Sequence, residues 1–204
     1  MSGTQTDAVL DLARERGIIA AHDLEEQGLP RRYLSRLHAL GELDRVGRGL
    51  YALPDREITE HHDLALVARR LPEAVICLLS ALRFYNLTTQ APFEVWVALS
   101  TGGWEPTEDT VPLRTVRLSG EAFTAGIAEH VVDRVSVRLY VPAKTVADCF
   151  KFRNQIGLEV ALEALREYWR SRIGSIDEVW HYAGICRVQN VMRPYLEALS
   201  GGVA

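Results

Sequence analysis

Seven side chains between residues 31 and 48 have the types and spacing that suit a polyanion. Arg31, Arg32, Ser35, Arg36 and His38 fall in one short stretch, and Arg45 and Arg48 follow it closely. Guanidinium groups meet phosphate oxygens and base edges through planar, paired N–H donors, so arginines gathered at the start of a helix could hold a duplex backbone and read its major groove. Between Gly28 and Leu50 these five arginines stand against only two carboxylates, Glu42 and Asp44, although the whole chain carries a net charge of -4. The distribution of charge speaks for nucleic acid where the sum does not. Two plainer readings compete: a solvated helix face, and a composition that favours arginine throughout, since Lys144 and Lys151 are the only lysines.

The elements that would present such a face are legible on either side of it. From Thr6, the residues Val9, Leu10, Leu12 and Ala13 make the apolar stripe of a short helix that Gly17 ends, and Ile18 and Ile19 follow as an extended link. A second helix fits Ala21 to Gln27, stopped at Gly28, and a third begins with Pro30 at its first position and stops at Gly41. Gln27, Gly28 and Leu29 make the short, glycine-containing turn of a helix-turn-helix. In the third helix Tyr33, Leu34, Leu37 and Leu40 share one face, which leaves Arg31, Arg32, Ser35 and Ala39 pointing outward and Arg36 and His38 on the flanks. Leu43 to Val46, the turn Gly47-Arg48-Gly49 and Leu50 to Leu53, closed by Pro54, read as a β-hairpin, with Arg48 at its tip and Arg45 behind it. Together these make a winged helix-turn-helix over residues 1–55, with double-stranded DNA as its partner.

Asp55 to Thr59 reads as a polar connection, and residues 59–204 as a second domain. His61 to Leu71 is predicted helical with Leu64, Leu66, Val67 and Leu71 inward, closed by Pro72. Val75 to Leu79 fits either a short buried strand or the start of the helix that carries Ala81 to Leu87. Phe93 to Leu99 alternates as a strand, Thr101 to Pro112 is a loop, Leu113 to Leu118 alternates again, and Gly126 to Val132 with Val135 to Tyr140 forms a hairpin turning at Asp133 and Arg134. After Pro142 the period becomes helical: Val146, Ala147 and Phe150 share one face, and Leu158, Ala161, Leu162, Leu165, Tyr168 and Trp169 make the buried side of the next helix. Ile176 to Ala183 and Val188 to Leu199 are helical too. The fold class is therefore α+β: an N-terminal winged helix-turn-helix, then a mixed α/β domain with a mostly antiparallel sheet and a helical C-terminal end.

Catalytic chemistry is hard to assemble from what remains. His61 and His62 are adjacent, point in different directions on a helix and are expected as exposed cap residues, with no completed metal site. Ser100, Thr101, Gly102 and Gly103 lack the Gly-Lys-Ser/Thr ending of a phosphate loop, with Trp104 and Pro106 following instead. Glu94, Asp109 and Lys144 form no recognisable nuclease set. Cys77, Cys149 and Cys186 lie far apart among apolar neighbours, which suits a reducing compartment better than a disulfide framework or a nucleophile. The start of the chain lacks the basic and apolar regions of a signal peptide, and no stretch approaches the ~20 apolar residues of a membrane span, so a cytoplasmic protein without membrane contact, metal, cofactor or enzymatic activity is expected. One polar stripe stands out: Lys144, Asp148 and Lys151 line the face opposite Val146 and Phe150, with Arg153 close by. It reads either as ordinary surface pairs or as a platform for a partner, and as a solvent-facing set it is expected to tolerate joint alanine replacement.

The words of the sequence add a resemblance. The run Ile76-Cys-Leu-Leu-Ser-Ala-Leu-Arg-Phe-Tyr-Asn-Leu-Thr-Thr-Gln90, the strand Glu94-Val-Trp-Val97 and the stretch Ala143-Lys-Thr-Val-Ala-Asp-Cys-Phe-Lys-Phe-Arg-Asn-Gln-Ile-Gly-Leu-Glu-Val-Ala-Leu-Glu-Ala-Leu-Arg166 resemble the AbiEi antitoxins of bacterial type IV toxin–antitoxin (abortive infection) systems. Leu34 to Leu53 resembles their winged-helix domain, and the likeness runs from about Asp7 to Leu199. Two positions depart: Tyr85, where related sequences often have histidine, and Arg134, in a turn where they commonly have glycine. The resemblance implies a repressor that binds operator repeats of its own operon; because one winged helix covers only a short site, two copies, a dimer on DNA, are expected on an inverted repeat. The resemblance also implies a C-terminal domain that opposes a nucleotidyltransferase toxin without a stable complex, and it makes Lys144, Asp148, Lys151 and Arg153 candidates for antitoxicity. A stand-alone regulator whose C-terminal domain senses a ligand is the alternative reading.

Overall fold

The computed structural model describes residues 4–102 and 110–201. Its contacts divide the chain into two compact units, residues 1–73, 105–112 and 129–137 forming the first and 74–104, 113–128 and 138–204 the second. The contacts part near Glu73, beyond the Asp55 to Thr59 connection.

In the first unit α1 (Gln5–Arg16) starts where Thr4 and Asp7 cap each other, each side chain reaching the other's backbone N–H, and it ends at Gly17. β1 (Ile18–Ile19), expected as a mere link, is a buried strand pairing antiparallel with β3 (Leu50–Ala52), which pairs in turn with β2 (Asp44–Gly47) to give the order β1-β3-β2. α2 (Ala21–Glu26) and α3 (Arg32–Ala39) flank a turn in which Gly28 takes a φ of 67°, a left-handed conformation open to glycine at little cost. The third helix starts two residues later than expected: Pro30 contributes its carbonyl to the N–H of Tyr33 at 3.1 Å and stands outside the helix instead of at its first position. Val9, Leu12, Ala13, Ile19, Leu24, Leu34, Leu37 and Leu43 form the core. Leu40, assigned above to the inner face, is 65% exposed, because it caps the helix end where the chain turns away. α4 (His62–Arg70) packs on β1 and β3 and belongs to this unit.

The second unit begins with β4 (Val75–Ile76) and α5 (Leu78–Phe84), so both readings of that apolar run hold, one after the other. β5 (Val95–Ser100), β6 (Leu113–Leu118) and the short α6 (Glu121–Thr124) follow, and then β7 (Ile127–Val132) and β8 (Val135–Tyr140), of which residues 129–137 belong to the first unit. The five strands run in the order β6-β5-β4-β8-β7. β5 is parallel to β6 and β4 is parallel to β8, whereas β4 and β5 are antiparallel, so the sheet is mixed and the expected antiparallel majority is corrected. Alternation along a strand reports which face is buried and says nothing of direction, which depends on how the connection returns. β5 is covered on both faces, Val95 to Leu99 all being buried, although the sequence alternates. Most of the loop expected over Thr101 to Pro112, including Gly103, Trp104, Pro106 and Asp109, lies outside the described residues.

The helical end comprises α7 (Pro142–Lys151), α8 (Arg153–Ile156), α9 (Leu158–Arg170), α10 (Ile176–Ile185) and α11 (Gln189–Gly201). Pro142 opens α7 where its missing N–H is no loss, and α7 packs against α5, α9 and α10. Trp169, expected inside, is 38% exposed near the end of α9. None of the described helices is long and apolar enough to cross a membrane.

Candidate nucleic-acid interface

The amphipathic pattern of α3 resolves as its spacing requires. Leu34 and Leu37 are buried, worth about 1.5–3 kcal/mol each, and Arg31, Arg32, Ser35, Arg36 and Ala39 are exposed on the other side. Arg32 and Arg36 lie with their guanidinium carbons 5.8 and 6.0 Å from the centre of the Tyr33 ring. Ser35 Oγ donates back to the Arg32 carbonyl at 3.3 Å. His38 is exposed, but its Nδ1 sits 2.9 Å from the Leu43 carbonyl and its ring meets Tyr51 edge-on at 6.0 Å, so it ties the end of α3 to the strands that follow. A carbonyl partner requires the proton on Nδ1 and leaves Nε2 as the acceptor in the neutral ring. On the hairpin Arg45 and Arg48 are exposed, and Arg45 Nε donates to the Gly47 carbonyl at 3.4 Å. Arg45 to Arg48 and Thr110 line an open cavity of about 370 Å³.

A buried carboxylate that the sequence did not single out holds this arrangement. Asp23, 2% exposed, accepts from the Ala20 N–H at 2.6 Å, from Arg16 at 2.5 Å and from Arg69, so the start of α2, the end of α1 and α4 share one anion. Its only signal in the sequence is its place as the third residue of the helix, where an acidic side chain reaches back to the backbone N–H just before the helix.

The turn at Asp133 and Arg134 lies in the same unit. Both residues have positive φ, 48° and 66°, the conformation for which glycine is the usual choice at the second position. Arg134 spends that strain on a contact: its guanidinium donates to the carbonyl of Arg14 in the last turn of α1, where a cation also meets the negative end of the helix dipole. A Cβ on Gly17 would collide with the Asp133 carbonyl oxygen. His62, expected as an exposed cap, instead has its side chain 14% exposed and its Nδ1 2.6 Å from Asp133 Oδ2, while Thr59 N–H donates to Oδ1. Burial works against the charge of Asp133, but the hydrogen bonds from His62 and Thr59 outweigh it and hold the carboxyl below its ordinary value.

The polar stripe of α7 is the largest correction. Lys144 is 0% and Asp148 1% exposed, inside a helix whose residues Ala143 to Phe150 are all buried. Their charged ends meet at 2.6 Å, Lys144 Nζ stands 4.1 Å from the centre of the Tyr140 ring, and the Cys186 thiol donates to the other Asp148 oxygen at 3.2 Å. Burial pushes the Asp148 carboxyl above its ordinary value, against the pull of Lys144. α7 is surrounded by three helices, so no face of it is left for solvent, and opposite charges one turn apart can be buried only because they pair. Lys151 is half-buried, donating to the Cys186 carbonyl at 3.3 Å, and Arg153 donates to the Phe150 carbonyl at 2.8 Å. The three cysteines are free and buried, and they sit nearer to charge than their sequence neighbours indicated: burial raises all three thiols, Cys186 to about 12.

Residues 7–54 match the family described as "Transcriptional regulator, AbiEi antitoxin". The likeness covers about a quarter of the chain, at its amino-terminal end. The matched segment runs from within α1 through α2 and α3 to the end of the β2–β3 hairpin, and so includes every exposed arginine of α3 and the hairpin. No curated protein sequence matches the chain. Among solved structures the chain is similar to the crystal structure of the RV2827C protein from Mycobacterium tuberculosis, with a TM-score of 0.51 and 17% identity over 91% of this chain and 77% of that one, a likeness of fold alone.

Proposed function

We propose that this chain is a cytoplasmic repressor of its own operon and the antitoxin that opposes a nucleotidyltransferase toxin, with residues 1–55 acting as a winged helix on operator DNA. The observation that carries the reading is the basic outer face of α3, with Arg45 and Arg48 exposed on the hairpin beside it in sequence. On this reading Arg31 and Arg32 enter the major groove, Arg36 and His38 flank it, and Arg48 meets the neighbouring backbone. One such module spans a short site, so two copies on an inverted repeat supply affinity and symmetry. Antitoxicity belongs to the second region and is exerted without a stable complex with the toxin. Lys144 and Asp148 serve it from inside, by holding α7 in place, and leave contact with a partner to exposed groups.

Footprinting the promoter tests the first half: a protected inverted repeat is expected, with affinity falling steeply between about 50 and 200 mM salt as about 4–6 phosphate contacts per subunit release counterions. Absence of any protected promoter sequence overturns it. Growth of cells expressing a nucleotidyltransferase toxin encoded in the same operon, with and without this chain, tests the second half, and the lack of such a gene or failure to restore growth overturns that.

A further inference from the structure

We propose that Tyr33 is a positioning residue of the DNA interface, its ring serving as the platform on which the guanidinium groups of Arg32 and Arg36 are placed before nucleic acid arrives. The inference rests on the reading that the outer face of α3 meets DNA. Both guanidinium carbons lie within 6.0 Å of the centre of the same ring, one from the residue just before it and one from a turn later. The ring itself is half-buried and packed against the apolar core of the first unit, so it is fixed from below while the two arginines are exposed.

Three physical terms favour this role. Arg32 and Arg36 are like charges one turn apart on a helix, a spacing at which they repel. Among the described residues neither is paired with a carboxylate that would relieve the repulsion. The negative face of an aromatic ring attracts both, and it does so without neutralising the charge they bring to a phosphate. Arginine also has many rotamers to lose on binding, and a side chain already held in place loses fewer. Leucine at position 33 would complete the apolar stripe equally well, but it has no quadrupole to offer a cation.

The test uses the full-length chain, a duplex carrying the promoter and a scrambled duplex of equal length. Tyr33→Phe, which keeps the ring, should bind the promoter within about twofold of wild type. Tyr33→Leu and Tyr33→Met should bind about five- to tenfold more weakly. In an Arg32→Ala/Arg36→Ala background the same Tyr33→Leu change should alter affinity less than about twofold, because there is nothing left to position. Equal losses in both backgrounds would show a merely structural tyrosine and overturn the proposal, as would wild-type binding by the Leu and Met variants. Should those variants fail to fold, the free wild-type protein still decides the matter: the Hδ protons of Arg32 and Arg36 should be shifted upfield by the ring, and random-coil shifts overturn the proposal. If wild type binds promoter and scrambled duplex equally, the reading of α3 itself has failed, whatever the tyrosine series shows.

Discussion

α3 and α7 each carry charged side chains four residues apart, Arg32 with Arg36 and Lys144 with Asp148, and the folded chain treats the two pairs in opposite ways. In α3 both charges have the same sign and remain outside, over an apolar stripe that packs inward. In α7 the signs are opposite, and the pair is sealed among helices with a tyrosine ring and a thiol closing the remaining space. The sign of the pair is what allows the difference. Two arginines could not be buried together, whereas a lysine and an aspartate can, provided they bond to each other. The exposed pair is free to act on a partner, and the buried pair acts only on its own fold.

That contrast is most easily broken at Asp148. Asp148→Ala leaves an unpaired ammonium inside the core and should destabilise the protein by about 3–5 kcal/mol, while the paired change Lys144→Met/Asp148→Leu should restore most of that stability, as read by urea denaturation. This replaces the tolerance to joint alanine substitution expected from the sequence, and a stable Asp148→Ala protein would return the pair to the surface. Next in size, Arg31→Ala or Arg32→Ala should weaken promoter binding by about 1–3 kcal/mol where the arginine reads a base, and should shift unfolding by no more than ~0.5 kcal/mol. Arg48→Ala should weaken promoter and scrambled DNA alike and lower the salt slope by about one.

The smallest effect concerns the Asp133 turn and sharpens the comparison from a third position, where the charge is neither displayed nor sealed. Because the folded carboxyl titrates below its ordinary value of 3.8, its contribution to stability is present above that value and is lost as pH falls through it. Asp133→Asn should therefore lower stability near neutral pH by about 1 kcal/mol and flatten the acid limb of the stability curve. An unchanged acid limb would remove His62 and Thr59 as partners that matter.

Local physics made much of this chain readable. The stripe at Leu34 and Leu37, the glycine turn at Gly28, the hairpin around Arg48 and Gly49 and the strand Leu113 to Leu118 each follow from interactions within a few residues, and they stand where spacing put them. So does the outward face of the candidate interface. Only the tertiary structure decided the rest. Whether β5 and β6 run parallel, whether His62 meets a carboxylate 71 residues away, whether Asp23 collects two arginines and whether Lys144 faces water all depend on which distant elements pack against each residue. A helical period states which residues share a face and is silent about what covers that face. For α3 one side is covered; α7 is enclosed on all sides, and there the polar residues had to find their partners within the core.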